Sequence, residues 1–271
     1  MSSITVRRPL VAAGAAALAL AGAVAISQLA SDAATGATTP AKKVVRASGD
    51  IGPAVARYRA LLGPDNGGAP GGDPDGRREI TWDGVPDGLA SPNAYPKDFF
   101  NAKAAPRARG AVLSTPGTGL RVSADSDNPA GAAPRFGDIN PAYTAAFRTF
   151  SAERLFSPVG SNVVNLRFRI PGTTTPAVVR GFGAVYTGID RRESTAFEYF
   201  DARGRSLGSF SVPAGREKLS FLGVAFAKPV VARVRIEYGN RALGPEETGA
   251  IDVAVMDNFI YGEPVVAASA R

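Results

Sequence analysis

The sequence predicts an all-β protein: an antiparallel β-sandwich, jelly-roll-like, with a short N-terminal helix. Three observations carry that prediction. Apolar and polar residues alternate at period two through the second half of the chain, Gly 31 and Pro 21 supply frequent turns, and no long amphipathic helical pattern occurs in the 271 residues.

Residues 1–33 read as a signal peptide. Arg7 and Arg8 precede an uncharged Ala/Gly/Leu/Val run from Leu10 to Ile26, and Ser31-Asp32-Ala33 offers small residues at the positions a signal peptidase reads. The same run admits an uncleaved anchor as a second reading. Arg7-Arg8-Pro9-Leu10 loosely fits a twin-arginine signal. The expected location is extracellular or in the cell envelope, with no membrane contact after cleavage. Residues 34–76 read as a tether: small polar residues with Lys42, Lys43 and Arg46, then a short helix, then a Gly/Pro-rich loop. Asp50 can cap that helix, Pro53 suits its first turn, Ala54, Tyr58, Leu61 and Leu62 recur at helical spacing, and Gly63-Pro64 ends it. The loop from Asp65 to Gly76 has almost nothing to bury and is expected to be mobile. This N-terminal region is therefore expected to be dispensable.

Residues 77–265 form the expected sandwich domain, followed by a C-terminal tail at 266–271. Its middle part, Arg77 to Phe156, is irregular, with one-turn helices expected at Lys97 to Asn101 and Tyr143 to Phe150. Leu166, Phe168 and Ile170 alternate with Asn165, Arg167 and Arg169, and Val234 and Ile236 alternate with Arg233, Arg235 and Glu237, so both segments read as half-buried strands. Val178 to Thr187 and Leu219 to Phe226 are apolar on both faces and contain Gly181, Gly183 and Gly223, as central strands do where a backbone or ring approaches closely. Thr195 to Phe200 and Leu207 to Val212 flank Asp201-Ala202-Arg203-Gly204-Arg205 as a hairpin. Ile251 to Tyr261 is the last strand.

Composition removes whole classes of chemistry. With no His and no Cys, histidine-dependent serine hydrolases, cysteine nucleophiles, His- or Cys-ligated zinc and disulfides are excluded. Carboxylate chemistry, oxygen-ligand metals and anion sites remain. The formal charge is +7, and the chain stays basic without its first 33 residues.

The runs GRREITWDGVPD (Gly76 to Asp87), FSAERLFSPVGSN (Phe150 to Asn162), GFGAVYTGID (Gly181 to Asp190), FEYFDARGRSLG (Phe197 to Gly208) and VMDNFIYGEP (Val255 to Pro264) resemble an uncharacterised family of exported bacterial β-sandwich proteins. Some members of that family carry PEP-CTERM-type sorting tails. The resemblance covers about Asp50 to Pro264 and implies a jelly-roll sandwich of the sort seen in carbohydrate-binding modules. This chain departs from it at Gly188 and Asn258, where the family has acids, and its C-terminus lacks a sorting helix.

Four groups of residues are candidate sites. A glycoside-active enzyme needs only two carboxylates about 5 to 9 Å apart. Asp190, Glu198, Asp201, Glu237, Asp252 and Asp257 lie in or beside strands, where turn and solvent-face acids are also expected. Calcium collects six to eight oxygens. Asp125 and Asp127 in one loop and Asp257 near the end are its candidate ligands, and Asx turns explain the same residues. Arg167 and Arg169 project from one strand face about 6.6 Å apart, as do Arg233 and Arg235, and together they would form a four-guanidinium patch for an anionic polymer. Glu198 and Glu237 stand close enough in sequence to neutralise it in place. Nucleic acid is not the expected partner, because the neighbouring ring Phe168 points to the buried face. Tyr95 and Tyr143, in polar Pro-containing loops, are the candidate exposed rings for a sugar, whereas Trp82 shares a face with Ile80 and belongs to the core. Gly181-Phe182-Gly183 has no following helix and is no dinucleotide fingerprint. The function expected from these readings is a non-catalytic binding or envelope-associated module for a glycan or anionic surface polymer. A carboxylate-only enzyme and a purely structural protein are the alternatives.

Overall fold

The computed structural model describes residues 40–245 and 250–267; the expected signal peptide and the end of the C-terminal tail lie outside them. The strands are β1 (Lys42–Ser48), β2 (Arg77–Ile80), β3 (Ala111–Ser114), β4 (Gly119–Val122), β5 (Phe156–Val159), β6 (Val163–Phe168), β7 (Gly181–Thr187), β8 (Ala196–Phe200), β9 (Ser206–Ser211), β10 (Ser220–Phe226), β11 (Arg233–Glu237) and β12 (Val255–Gly262). Helix α1 spans Gly52–Leu62, and α2 is one turn at Tyr143–Ala146. All strand pairs are antiparallel. One sheet has seven strands in the order β1-β10-β7-β12-β5-β4, with β2 also on β12, and the other has five in the order β3-β6-β11-β8-β9. From β6 onward the chain passes repeatedly between the sheets, as a jelly-roll-like sandwich requires.

The core follows the alternation in the sequence. Leu166, Phe168, Val234, Ile236, Phe197 and Tyr199 point in from the five-stranded sheet and meet Phe182, Ala184, Leu222, Val224, Met256 and Phe259 from the other. The expected hairpin is present. Gly204 takes φ 79, and Asp201 Oδ1 accepts the N–H groups of Arg203 and Arg205 at 2.9 Å each.

The tether expected at residues 34–76 is replaced by integral structure over its described part. β1 pairs with β10 along its whole length, from Lys42 opposite Phe226 to Ser48 opposite Ser220. α1 then lies on the outer face of the same sheet, where Val55, Tyr58 and Leu62 bury against Val185, Phe221 and Ile260 in a second core. The reason is in the strand glycines. A Cβ on Gly223 would stand 2.6 Å from Tyr58 Cδ2, and one on Gly183 would stand 2.8 Å from Tyr58 Cε1, so the bare backbone at these positions is the seat of the Tyr58 ring. The Tyr58 hydroxyl completes the docking by donating to Val224 O at 3.0 Å. Asp50 supports the helix start through the Gly52 N–H rather than as the residue directly capping it.

The Asp65 to Gly76 loop is likewise anchored, not free. Arg78, on β2, is fully buried and forms a two-pronged ion pair with Glu263 at 2.5 and 2.7 Å. Its remaining donors reach the backbone carbonyls of Gly67 (2.9 Å), Ala69 (2.7 Å) and Gly71 (2.7 Å). A loop poor in side chains can bring several carbonyls to one point, and a buried guanidinium with five donors demands it.

Two stability predictions follow from these contacts. Tyr58→Ala empties a fully buried site and should cost about 3–5 kcal/mol in urea unfolding, whereas Tyr58→Phe loses one hydrogen bond and should cost about 1 kcal/mol. Glu263→Gln leaves the Arg78 charge buried without its counter-ion, and should cost about 3–5 kcal/mol in the same measurement.

Candidate functional site

The outward face of the five-stranded sheet gathers three of the four expected arginines. Strand register puts Arg167 of β6 directly opposite Arg233 of β11, and Phe200 of β8 opposite Arg233 on the other side. Arg169 extends from the end of β6 into the same place. Arg167, Arg169 and Arg233 line one depression of about 360 Å3, together with Asp201, Ala202 and Gly204 of the β8–β9 turn. Arg233 is fixed there: its guanidinium lies 3.5 Å from the centre of the Phe200 ring, and Nη1 donates to Asn165 Oδ1 at 2.8 Å. Arg169 donates to Thr174 O at 2.9 Å. Arg167 is exposed and makes no ion pair among the described residues.

The fourth arginine stands apart. Arg235 faces Glu198 across the strands and pairs with Glu237 at 3.3 Å, so the expected patch is three guanidinium groups with a fourth neutralised beside it. Arg233 is held against the charges of Arg167 and Arg235. Burial first, then the charge of Arg167, moves Arg233 below the usual guanidinium range, with Glu198 opposing. The one acid among the described residues that line the depression, Asp201, is already engaged. Burial raises Asp201, but hydrogen bonds from Arg205 and Arg203 and the Arg205 charge carry it below the ordinary carboxylate range. Arg205 Nε donates to Asp201 Oδ2 at 2.8 Å. The depression therefore carries an excess of positive charge. Sequence reading found the arginines through their period-two spacing and the hairpin through its turn residues; that the turn stands beside the arginines escaped it, because only the pairing of β8 with β11 brings Asp201 to Arg233.

The other candidates are differently employed. Tyr95 is 5% exposed and Tyr143 0%, so neither ring is available to a sugar. The loop carrying Tyr95 folds back onto the core, where its ring meets Trp82 edge-to-face at 5.8 Å. Tyr143 stacks on Phe147 at 4.5 Å and donates to Gly244 O at 3.0 Å. Trp82 is buried as expected. It stacks on Phe156 at 4.3 Å and donates to Asp257 O at 2.7 Å.

The calcium ligands do not assemble. Among the described residues no group of three or more acids is placed to hold a metal ion. Asp125 pairs with the buried guanidinium of Arg154, which also binds Asp87 and donates to Val85 O at 2.7 Å, and Asp127 is exposed on its own turn. Asp257 is fully buried at a bulge where the β12–β7 register shifts between Met256 and Phe259. It accepts from Phe150 N at 2.6 Å, Ser151 N at 3.3 Å and Ser151 Oγ at 2.8 Å, so the carboxylate oxygens face N–H and O–H donors in place of a cation. Asp252 is buried in the same way, accepting from Asp190 N at 2.9 Å and from the Ser194 hydroxyl. Burial, then the Asp252 charge, raises exposed Asp190 above the usual range. In this pair of acids Asp252 is already consumed by bonds from backbone N–H groups and the Ser194 hydroxyl.

Burial pushes the Asp257 carboxyl up to about 7, against the lowering effect of its bonds from Phe150 and Ser151. An acid raised on folding binds more protons when folded than when unfolded across the interval from its usual value to 7, so its contribution to stability declines as pH rises through that interval. The melting temperature of the wild type should therefore fall relative to Asp257→Asn between about pH 4 and pH 7. A parallel course of the two melting curves against pH would refute it. A calcium chelator should leave the wild-type melting temperature unchanged.

Comparison with known proteins adds little to this geometry. No protein-family model matches the chain, and no curated protein matches it. Among solved structures the chain is similar to the CBM22-1 xylan-binding domain of Xyn10C from Paenibacillus barcinonensis, at 12% identity over 63% of this chain and 94% of that one, with a TM-score of 0.28. That score is too low to carry an argument, so the fold rests on the strand topology itself.

Proposed function

We propose that the protein is an exported, non-catalytic binding module of the cell envelope or extracellular space, and that its ligand is an anionic glycan or other anionic surface polymer seated on the Arg167–Arg169–Arg233 face. One observation carries the reading: two arginines are placed directly opposite each other across β6 and β11, in a depression whose one acid among the described residues is already bound by Arg205. Like charges in register on a sheet are unfavourable unless an anion relieves them. Arginine suits such a ligand because its planar fork matches carboxylate, sulfate and phosphate oxygens. The acids that a carboxylate enzyme would need are held by protein donors or stand apart from this face. The export part of the reading rests on the N-terminal sequence alone.

The test is binding of dextran sulfate and polygalacturonate, with neutral dextran as control. The charged polymers should bind and weaken steeply as salt rises, and neutral dextran should not bind. Arg167→Glu, at an exposed position, should weaken binding at least about tenfold, consistent with the worth of a charge-assisted hydrogen bond. Equal binding of neutral dextran, or charged-polymer affinity unaltered by Arg167→Glu, would overturn the reading.

A further inference from the structure

Next to the arginine face, and sharing Asp201, Ala202, Val178 and Ala267 with it, lies a second depression of about 580 Å3. Its floor is aliphatic, formed by Pro229, Val230, Val265 and Val266. Val266 is 65% exposed and is the large hydrophobic side chain left in solvent among the described residues. The floor is preformed: Val178 and Val265 exchange backbone hydrogen bonds at 2.8 and 3.0 Å, and Val230 N donates to Val179 O at 3.1 Å. The rim is cationic. Arg203, Arg205 and Lys228 are all exposed on it, and only Arg205 is paired, with Asp201.

This combination selects against a sugar and for a hydrocarbon chain. Among the described residues no aromatic ring lines the groove to stack on a pyranose, and the aliphatic side chains offer nothing to bond to its hydroxyls. An apolar patch bordered by charge is the usual mark of a binding surface, and its volume falls in the range of small-ligand pockets. We propose that the groove takes the alkyl chain of a single-chain anionic amphiphile, whose acidic head lies at the mouth against Arg203 and Lys228. The proposal rests on the reading of the arginine face for the sign of the ligand's charge and adds to it a second ligand class, anionic molecules that carry a hydrocarbon chain.

The test uses the protein with dodecyl phosphate below its micelle concentration, compared with inorganic phosphate and dodecyltrimethylammonium, read by calorimetry and by methyl NMR of the valines. Dodecyl phosphate should saturate and shift the methyls of Val230, Val265 and Val266; inorganic phosphate should leave those methyls in place. The cationic surfactant should bind at least about tenfold more weakly, and Val266→Asp and Lys228→Glu, both at exposed positions, should each weaken dodecyl phosphate by about as much. Absence of saturation, equal binding of the cationic surfactant, or unchanged affinity in both variants would overturn the proposal. Dextran sulfate separates the two readings. Its binding with no dodecyl phosphate binding defeats the groove alone, and the reverse defeats the arginine face as a polymer site alone.

Discussion

The buried pair of Arg78 and Glu263 joins β2, the end of β12 and the Asp65 to Gly76 loop into one unit. A guanidinium with no exposed surface must place all its N–H groups on acceptors, and Glu263 can serve only one side of the fork. Strand carbonyls are committed to the ladder and diverge to alternate edges, so the remaining acceptors have to come from irregular backbone. The loop meets that need by curling three carbonyls toward one point. Asn66 adds a second tie by donating to Glu263 at 2.7 Å while also holding Asp73 O at 2.9 Å. The Gly-rich composition is a steric requirement of this arrangement: a Cβ on Gly68 would stand 1.9 Å from Pro106 O.

The same principle organises the rest of the irregular chain. Arg154 draws the segments containing Val85, Asp87 and Asp125 around itself, and Asp257 pins Phe150 and Ser151 to the bulge of β12. Asp83 Oδ1 holds the next backbone groups, Glu153 N at 3.0 Å and Arg154 N at 3.1 Å. Where ladder hydrogen bonds are missing, buried charges take over the task of fixing backbone. This division explains why Asp125 and Asp257, which resemble metal ligands in the sequence, are not free to serve as such.

Legibility in the sequence followed the same line. The ladder-built strands announce themselves by alternation, and the hairpin by its Asp and Gly positions, because both signals are local. β1 stayed hidden: Lys42, Lys43 and Arg46 are exposed and only Val45 is fully buried, a pattern that an edge strand shares with a solvated linker. The strand glycines pointed to close packing without saying that Tyr58 was the partner, since that residue lies far off in the chain. Tyr95 and Tyr143 sit in polar surroundings in the sequence, yet their loops fold back over the sandwich, which no local pattern reports. No local pattern marks Arg78 or Arg154 as buried, because their burial depends on partners distant in sequence. The arginines of β6 and β11 were legible as a row on each strand; that Arg167 and Arg233 face each other, and that Phe200 braces one of them, comes only from strand order.

The pairing of β1 with β10 also constrains the order in which the molecule can assemble. β1, the first of the described strands to leave the ribosome, must wait for a partner at residues 220–226, and the apolar face of α1 must wait for Phe221 and, on β12, for Ile260. During synthesis, therefore, the N-terminal segment has no seat, while the hairpin β8–β9 can close as soon as it emerges. Closure of so long a loop is slow compared with local pairing. β1 and α1 thus dock among the last elements, and any factor that must engage this segment in an unfolded form has most of the translation time in which to do so.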